Sequence, residues 1–273
     1  PPLVLFSLIT VGYSANALGG AGGPLAVLII AIVAAELGKA VSKETKVDIL
    51  VTPLVTIFAG VGLSMLIAAP IGAAASQVGT LIMWATEQAP LVMGILVSVI
   101  VGVALTLPIS SAAICAALGL TGLAGGAAVA GCCAQMVGFA VMSYKENGVG
   151  GLVSQGLGTS MLQMGNIIKN PRIWIAPTLA SAITGPLATC LFHFEMNGAA
   201  VSSGMGTCGL VGQIGVYTGW VSDIAAGTKA AITPMDWAAM VLLCFVLPAV
   251  LSVVFCAVER KLGWIKEGDL KLN

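Results

Sequence analysis

Charge is scarce in this chain. Asp, Glu, Lys and Arg together make up 8% of its 273 residues, there is one histidine, and from Gln88 to Tyr144 no Asp, Glu, Lys, Arg or His occurs. Soluble domains carry roughly 25% charged residues. A fold of this size cannot bury a composition that is 58% hydrophobic, because even large domains leave much of their surface in water. A water-soluble globular fold is therefore excluded. The formal net charge of zero leaves no basic footprint for nucleic acid. C-x-x-C pairs are also missing. The seven cysteines (Cys115, Cys132, Cys133, Cys190, Cys208, Cys244, Cys256) lie in or beside apolar runs, which argues against zinc or paired-thiol chemistry and for small residues packed in a membrane. No metal constellation or nucleophile–base set stands out, so no metal, cofactor or catalytic residue is expected.

What is present defines an all-α integral membrane protein. Its 35 glycines let membrane helices approach closely. The chain opens on Pro1 inside an apolar run with no cleavable signal peptide, and further residues are expected before it. Spans fall at about 1–19, 22–38, 49–68, 91–107, 173–192 and 237–257, judged against the roughly 20 residues that a crossing helix needs. Between 69 and 89 the chain is only moderately apolar, with Gln77, Thr80, Trp84 and Glu87. This piece is expected at the interface, with Trp84 at headgroup level.

The uncharged stretch 88–144 is too long for one crossing. It is punctuated by Pro108, Ser110, Ser111, the glycines of 119–126 and Gln135. Broken helices at membrane depth survive only where protein buries them or they line a cavity, which points to a transporter or channel. Charges gather at Glu36–Asp48, Lys145–Arg172, Asp223–Asp236 and Glu259–Asn273. The positive-inside rule places the first, second and fourth clusters in the cytoplasm, C-terminus included, and the third outside. Parity then requires 109–144 to enter and leave from the cytoplasmic side and 193–222 from the outer side. Either two opposed re-entrant hairpins or pairs of short helices satisfy this, and length favours the hairpins.

The two segments resemble each other. One carries Ser110-Ser111, Gly119-Leu120, Gln135 and Gly138; the other carries Ser202-Ser203, Gly209-Leu210, Gln213 and Gly215, at different spacings. Inverted pairs of broken elements hold the solute in many secondary transporters. The serines either cap half-helices whose positive ends receive an anionic or hydroxyl-rich solute, or cap and do nothing more. Gln135 and Gln213 lie deep in uncharged runs and must pair within the protein or line a site. The stretch Phe192-His193-Phe194-Glu195-Met196-Asn197 holds the only histidine beside an acid. Glu195 and Asn197 suit solute hydroxyls, and Phe192 and Phe194 suit a sugar's apolar face. His193 and Glu195 share a side only on an extended backbone. The same stretch would also sit comfortably hydrated at the interface. Asn170 precedes Pro171, which frees backbone carbonyls, while Lys169 and Arg172 fit cytoplasmic anchors.

From Gly148 to Lys169, Val149, Val153, Leu157, Met161, Met164 and Ile168 form one helical stripe opposite Gln155, Thr159, Gln163 and Asn166. An amphipathic helix on the membrane surface or facing a cavity is expected. Gly204-Met-Gly-Thr-Cys-Gly209 matches G-x-G-x-x-G but lacks the strand and acid of a dinucleotide site.

Several stretches resemble a known family: Leu107-Pro-Ile-Ser-Ser-Ala112, Ala134-Gln-Met-Val-Gly-Phe-Ala140, Asn170-Pro-Arg-Ile-Trp-Ile-Ala-Pro177 and Val201-Ser-Ser-Gly-Met-Gly-Thr-Cys-Gly-Leu-Val-Gly-Gln213. Together they resemble the enzyme IIC-like membrane permeases of the bacterial sugar phosphotransferase system, a family that includes proteins labelled perfringolysin O regulators. The resemblance implies a bacterial plasma-membrane permease, a homodimer, and a two-hairpin transport domain moving against a scaffold. In better-known sugar permeases of that system a Glu and a His contact the sugar, and Glu195 and His193 match them by residue type. The chain lacks the Gly-Ile-Thr-Glu-Pro signature of the glucose-type members and any soluble domain with a phosphorylatable Cys or His, so phosphoryl transfer would fall to separate phosphocarrier proteins.

The expected layout is scaffold or dimerisation spans over 1–90, a transport region over 91–222 with hairpins at 109–144 and 193–222, and a last span with a basic tail over 223–273. The expected solute residues are Glu195, His193, Asn197, Ser110, Ser111, Ser202, Ser203, Gln135, Gln213 and Asn170. The expected function is permeation of a small polar solute, uncharged or weakly anionic, such as a sugar, across the lipid bilayer. A non-transporting membrane sensor or regulator is the second reading.

Overall fold

The computed structural model describes residues 2–20, 23–44 and 47–272. They are helical almost throughout, and the only extended pairing among them is one isolated bridge. In chain order the helices are α1 (Pro2–Gly19), α2 (Gly23–Val41), α3 (Asp48–Gln88), α4 (Pro90–Thr106), α5 (Ser111–Leu118), α6 (Gly122–Met142), α7 (Tyr144–Val153), α8 (Met164–Lys169), α9 (Pro171–Leu191), α10 (Val211–Ala225) and α11 (Pro234–Lys261). Six of them, α1, α2, α3, α6, α9 and α11, are long and apolar enough to cross a membrane. The chain is an all-α integral membrane protein. It divides into two compact units, Pro1–Thr80 with Ala116–Gly119, and Leu81–Cys115 with Leu120–Asn273.

In the first unit α1, α2 and the start of α3 pack through Val11, Ala15, Ala26, Ile30, Ala34 and Ala68. Their buried hydroxyls are satisfied along their own helices. Ser7, Thr56 and Ser64 donate to the carbonyls of Leu3, Thr52 and Gly60 at 2.8 Å each, the back-bonding open to Ser and Thr inside a helix. Large side chains such as Leu5, Phe6, Phe58 and Leu66 face outward, as a lipid-facing surface requires.

The piece 69–89, expected at the interface, is the continuation of α3, which runs unbroken for 41 residues. Pro70 cannot donate to the Leu66 carbonyl and its ring crowds the preceding turn. A wider π turn at Ser64–Ala68 absorbs the misfit. Nothing after Pro70 breaks the helix before Gln88. The same device recurs in α11, where a π turn at Leu242–Val246 precedes Pro248.

The second unit is built around α6, whose spanning window is 94% buried. Its run of Gly, Ala and Cys presents little side-chain bulk, so α4, α9 and α11 close in around it. The expected hairpin at 109–144 therefore has unequal arms: an 8-residue α5, a turn at Gly119, and the 21-residue α6. The segment 193–222 is also unequal. An irregular strap over 192–199 leads through short 3-10 turns at Ala200–Gly204 and Cys208–Leu210 into the 15-residue α10.

The stretch 144–169 is a broken chain of short helices instead of one amphipathic helix. Gly148 leaves helical geometry at φ 59°, and Thr159 is extended between α7 and α8. Its polarity is inverted relative to a soluble helix. Gln155, Gln163 and Asn166 are buried, while Val149, Val153 and Ile168 face outward. The inward amides find partners in the C-terminal tail. Gln163 Nε2 donates to the Leu270 carbonyl at 2.9 Å, Asn166 Nδ2 to the Lys271 carbonyl at 3.0 Å, and Asn147 Nδ2 to the Leu270 carbonyl at 2.8 Å. Glu146 adds an ion pair to Arg260 at 2.7 Å and accepts the Leu270 N–H at 2.8 Å.

Candidate functional site

Along the irregular strap over 192–199 exposure alternates. His193 and Glu195 face out, while Phe194 and Met196 are 3% and 0% exposed and join the core around α6. His193 and Glu195 thus share one side although the backbone at His193 is not extended. Phe194 is turned inward and offers no free ring; Phe192 is half-buried. His193 sits at φ 44°, a left-handed conformation uncommon for a residue with a Cβ.

Two glycines fix the strap's height. Gly126 of α6 lies directly against the Phe194 carbonyl, and Gly219 of α10 lies against the backbone nitrogens of Asn197 and Gly198. A side chain at either place would lift the strap. Met196 and Gly122 exchange backbone hydrogen bonds at 3.0 Å in both directions.

Over the strap's outward side opens a cavity of about 530 Å³, within the range of small-molecule sites. His193, Glu195, Asn197, Trp220, Asp223, Lys229 and Asp236 are among its lining residues. Asn197 Nδ2 bridges two carboxylates, donating to Glu195 Oε2 at 3.0 Å and to Asp223 Oδ2 at 2.9 Å. Lys229 Nζ pairs with Asp236 Oδ1 at 2.8 Å and lies 5.7 Å from the Trp220 ring centroid. Asp236 also starts α11. Its Oδ2 accepts the Thr233 N–H at 2.7 Å, while Thr233 caps the helix in return, the reciprocal arrangement of a capping box. Trp220 packs edge-on against Trp237, with centroids 5.5 Å apart.

The other candidate residues lie elsewhere and are engaged. Ser110 accepts the Ala113 N–H at 3.1 Å and caps α5. Ser111 donates to the Gly204 carbonyl and Ser203 to the Leu120 carbonyl, each at 2.7 Å, so these two serines join the broken segments to each other. Ser202 is buried against Gly215. Gln135 accepts from the Trp174 indole at 3.0 Å and donates to Thr178 Oγ1 at 3.2 Å, tying α6 to α9. Gln213 donates to Cys133 Sγ at 3.2 Å, and its buried oxygen has no partner among the described residues. Asn170 caps the start of α9 and donates to the Trp264 carbonyl and Asp269 Oδ2 at 2.9 and 2.8 Å. The structure thus gathers Glu195, His193 and Asn197 and disperses the rest. It adds Asp223, Lys229, Asp236 and Trp220, which the sequence showed only as an outer charged cluster flanked by tryptophans.

A bundle of apolar spans carrying a polar, aromatic-walled cavity beside a broken helical segment belongs to the transporter class of membrane proteins. This chain belongs to the phosphotransferase-system EIIC family: the family model described as "Phosphotransferase system, EIIC" matches residues 1–272. The family resemblance of the Ser202–Gly206 region is thereby borne out, and the chain is a membrane component of sugar transport. No curated protein and no solved structure matches it.

Proposed function

We propose that the chain is a permease for a small polar solute, most simply a sugar, and that the solute binds in the Glu195–Asn197–Asp223 cavity. One observation carries this reading: one cavity collects carboxylates, an amide, an imidazole and aromatic side chains, whereas the other polar cavity of the same unit, beside Asn166 and Asn170, has no aromatic wall. Carboxylates accept from sugar hydroxyls, and Phe192 supplies an apolar wall, which is how small-molecule sites divide orientation from contact area.

The positions of two cavities support an alternating-access reading. The large cavity is at the C-terminal end of α10. A second, of about 390 Å³ and lined by Ser110, Ser111, Met205 and Cys208, lies before its N-terminal end. Fifteen residues of helix separate the two, a rise of about 22 Å. The Ser111–Gly204 and Ser203–Leu120 hydrogen bonds close the way between them, and parting them opens it. Sidedness is inferred from charge. Lys145, Lys169 and Arg172 lie on the segment to which the basic tail is tied, which favours the cytoplasm. The cavity lies at the other end of the 28-residue α11 and opens outside. Separate phosphocarrier proteins supply any phosphoryl group.

Uptake of a sugar panel into proteoliposomes tests this reading. Flux above protein-free vesicles that drops in Glu195→Gln is expected. A panel in which no sugar is moved and none shifts the melting temperature would falsify it.

A further inference from the structure

Glu259 is the only Asp, Glu, Lys or Arg among the described residues that is buried, at 4% exposed, and it takes no part in the solute cavity. Neither of its carboxylate oxygens has a hydrogen-bond partner among the described residues. Other acids at this end of the unit are engaged. Glu146 holds Arg260 at 2.7 Å and accepts the Leu270 N–H at 2.8 Å. Asp269 accepts from Asn170 Nδ2 and from the Lys266 N–H, each at 2.8 Å. A buried carboxyl with no donor is an exception in a folded protein and calls for something that it binds.

The C-terminal tail closes over this end of α11. Gly263, at φ 71°, turns the chain back, and the Trp264 N–H donates to the Glu259 carbonyl at 2.9 Å. Ala176 of α9 lies beside the carboxyl, and Cys256 lies one turn before it on α11. Both belong to an apolar cluster with Phe139 of α6, Ile173 of α9, and Ile265 and Leu270 of the tail. At 28 residues α11 rises about 42 Å, more than the roughly 30 Å of hydrocarbon. Glu259 follows the apolar run 237–257, so protein and not lipid encloses it. No charge on the surrounding elements compensates it. Arg260 is held by Glu146, the Arg172 guanidinium lies 5.7 Å from the Trp264 ring centroid, and Lys145, Lys169, Lys261, Lys266, Glu267 and Lys271 are exposed. Cys256 adjoins Arg260. The only histidine, His193, lines the cavity at the opposite end of α11.

We propose that Glu259 is a proton-binding site sealed by the C-terminal tail, neutral while the tail is docked and ionised when the tail lifts. A carboxylate under the docked tail is a buried charge with neither donor nor counter-ion, whereas the carboxylic acid has no charge to compensate. Once water reaches the group, its O–H bond breaks, the proton passes to water and the carboxylate is hydrated. Docking of the tail takes up one proton, and release gives it back. An exposed glutamate ionises above about pH 4.3. From there upward each pH unit favours release by up to about tenfold, until the docked form itself loses the proton. The site works in this way whether or not the outer cavity takes a solute.

The test is amide exchange over 265–272 in the full chain in lipid nanodiscs, followed between about pH 5 and about pH 7. Rates are expressed as protection, so that the intrinsic pH dependence of exchange cancels. In the wild type, protection of the tail should fall with rising pH, by up to about tenfold per unit. Glu259→Gln, which stays neutral and keeps the shape of the acid, should give a flat profile. Glu146→Gln, which loses the pair with Arg260, should lower protection at every pH and keep the slope. A flat wild-type profile overturns the proposal, and this outcome needs no variant to fold. A slope that survives in Glu259→Gln overturns it too, because another group then carries the proton. A slope that vanishes in Glu146→Gln assigns the proton to the ion pair and has the same consequence.

Discussion

The Ser203 hydroxyl donates to the Leu120 carbonyl at 2.7 Å, across 83 residues of sequence. Its counterpart is the Ser111 hydroxyl on the Gly204 carbonyl, so each broken segment gives the other one side-chain donor. Both bonds are buried and satisfy carbonyls that their own helices leave free. Removing the Ser203 hydroxyl strands the Leu120 carbonyl, at a cost of about 1 kcal/mol. Ser203→Ala should therefore lower the unfolding midpoint in detergent. A double variant with Ser111→Ala should lose more than either single change, and strict additivity would show that the two bonds do not act as one unit.

Glu195 is exposed at the cavity mouth and makes no packing contribution that a glutamine would lose. Glu195→Gln should cut solute uptake by about tenfold or more, the equivalent of one charge-assisted hydrogen bond, with the melting temperature nearly unchanged. A matched loss of both would mean that the residue supports the fold.

Gly126 shows how closely the site depends on backbone contact. A Cβ there would collide with the Phe194 carbonyl. Gly126→Ala should displace the strap that carries His193, Glu195 and Asn197 and abolish solute binding while the protein still inserts. Binding titrations on the purified variant would measure this, and wild-type affinity would sink the account of the strap.

At the start of α11, Thr233 and Asp236 cap each other. Thr233→Ala should cost about 1 kcal/mol. Faster amide exchange over 234–241 should accompany it and should not extend to the far end of the helix.

The tail offers a proteolytic test. Glu146 holds Arg260 and the Leu270 N–H together. Glu146→Gln loses the ion pair and should speed trypsin cleavage after Lys266 and Lys271, several-fold on the scale of a 1–2 kcal/mol opening. Cleavage at the wild-type rate would mean that the buried amides hold the tail unaided.

Much of this was legible in the sequence, and the remainder was hidden for physical reasons. The scarcity of charge fixed the class, and the apolar runs located most of the spans. The strap was readable because His193, Glu195 and Asn197 interrupt an apolar run with polar groups. The unbroken α3 was not readable, because Gln77, Thr80 and Glu87 lower the apolarity of its second half to that of an interfacial segment. The length and full burial of α6 were not readable, because its small residues give little apolar signal until neighbours pack on them. The breaks within 148–169 are not legible, because periodicity shows that one side is polar, not that a distant tail will cover that side. Asp223, Lys229 and Asp236 seemed a plain outer loop because a cavity exists only once α10, α11 and the strap are brought together.

α11 has Asp236, a wall of the solute cavity, at its first turn and Arg260, the tail's clamp, at its last. Its one soft joint is the π turn at Leu242–Val246. Whatever reseats one end must flex that joint or drag the other end along. If solute binds in this cavity as proposed, α11 links its occupancy to the grip on the C-terminus, and a receptor watching the tail would read the one through the other without any solute crossing.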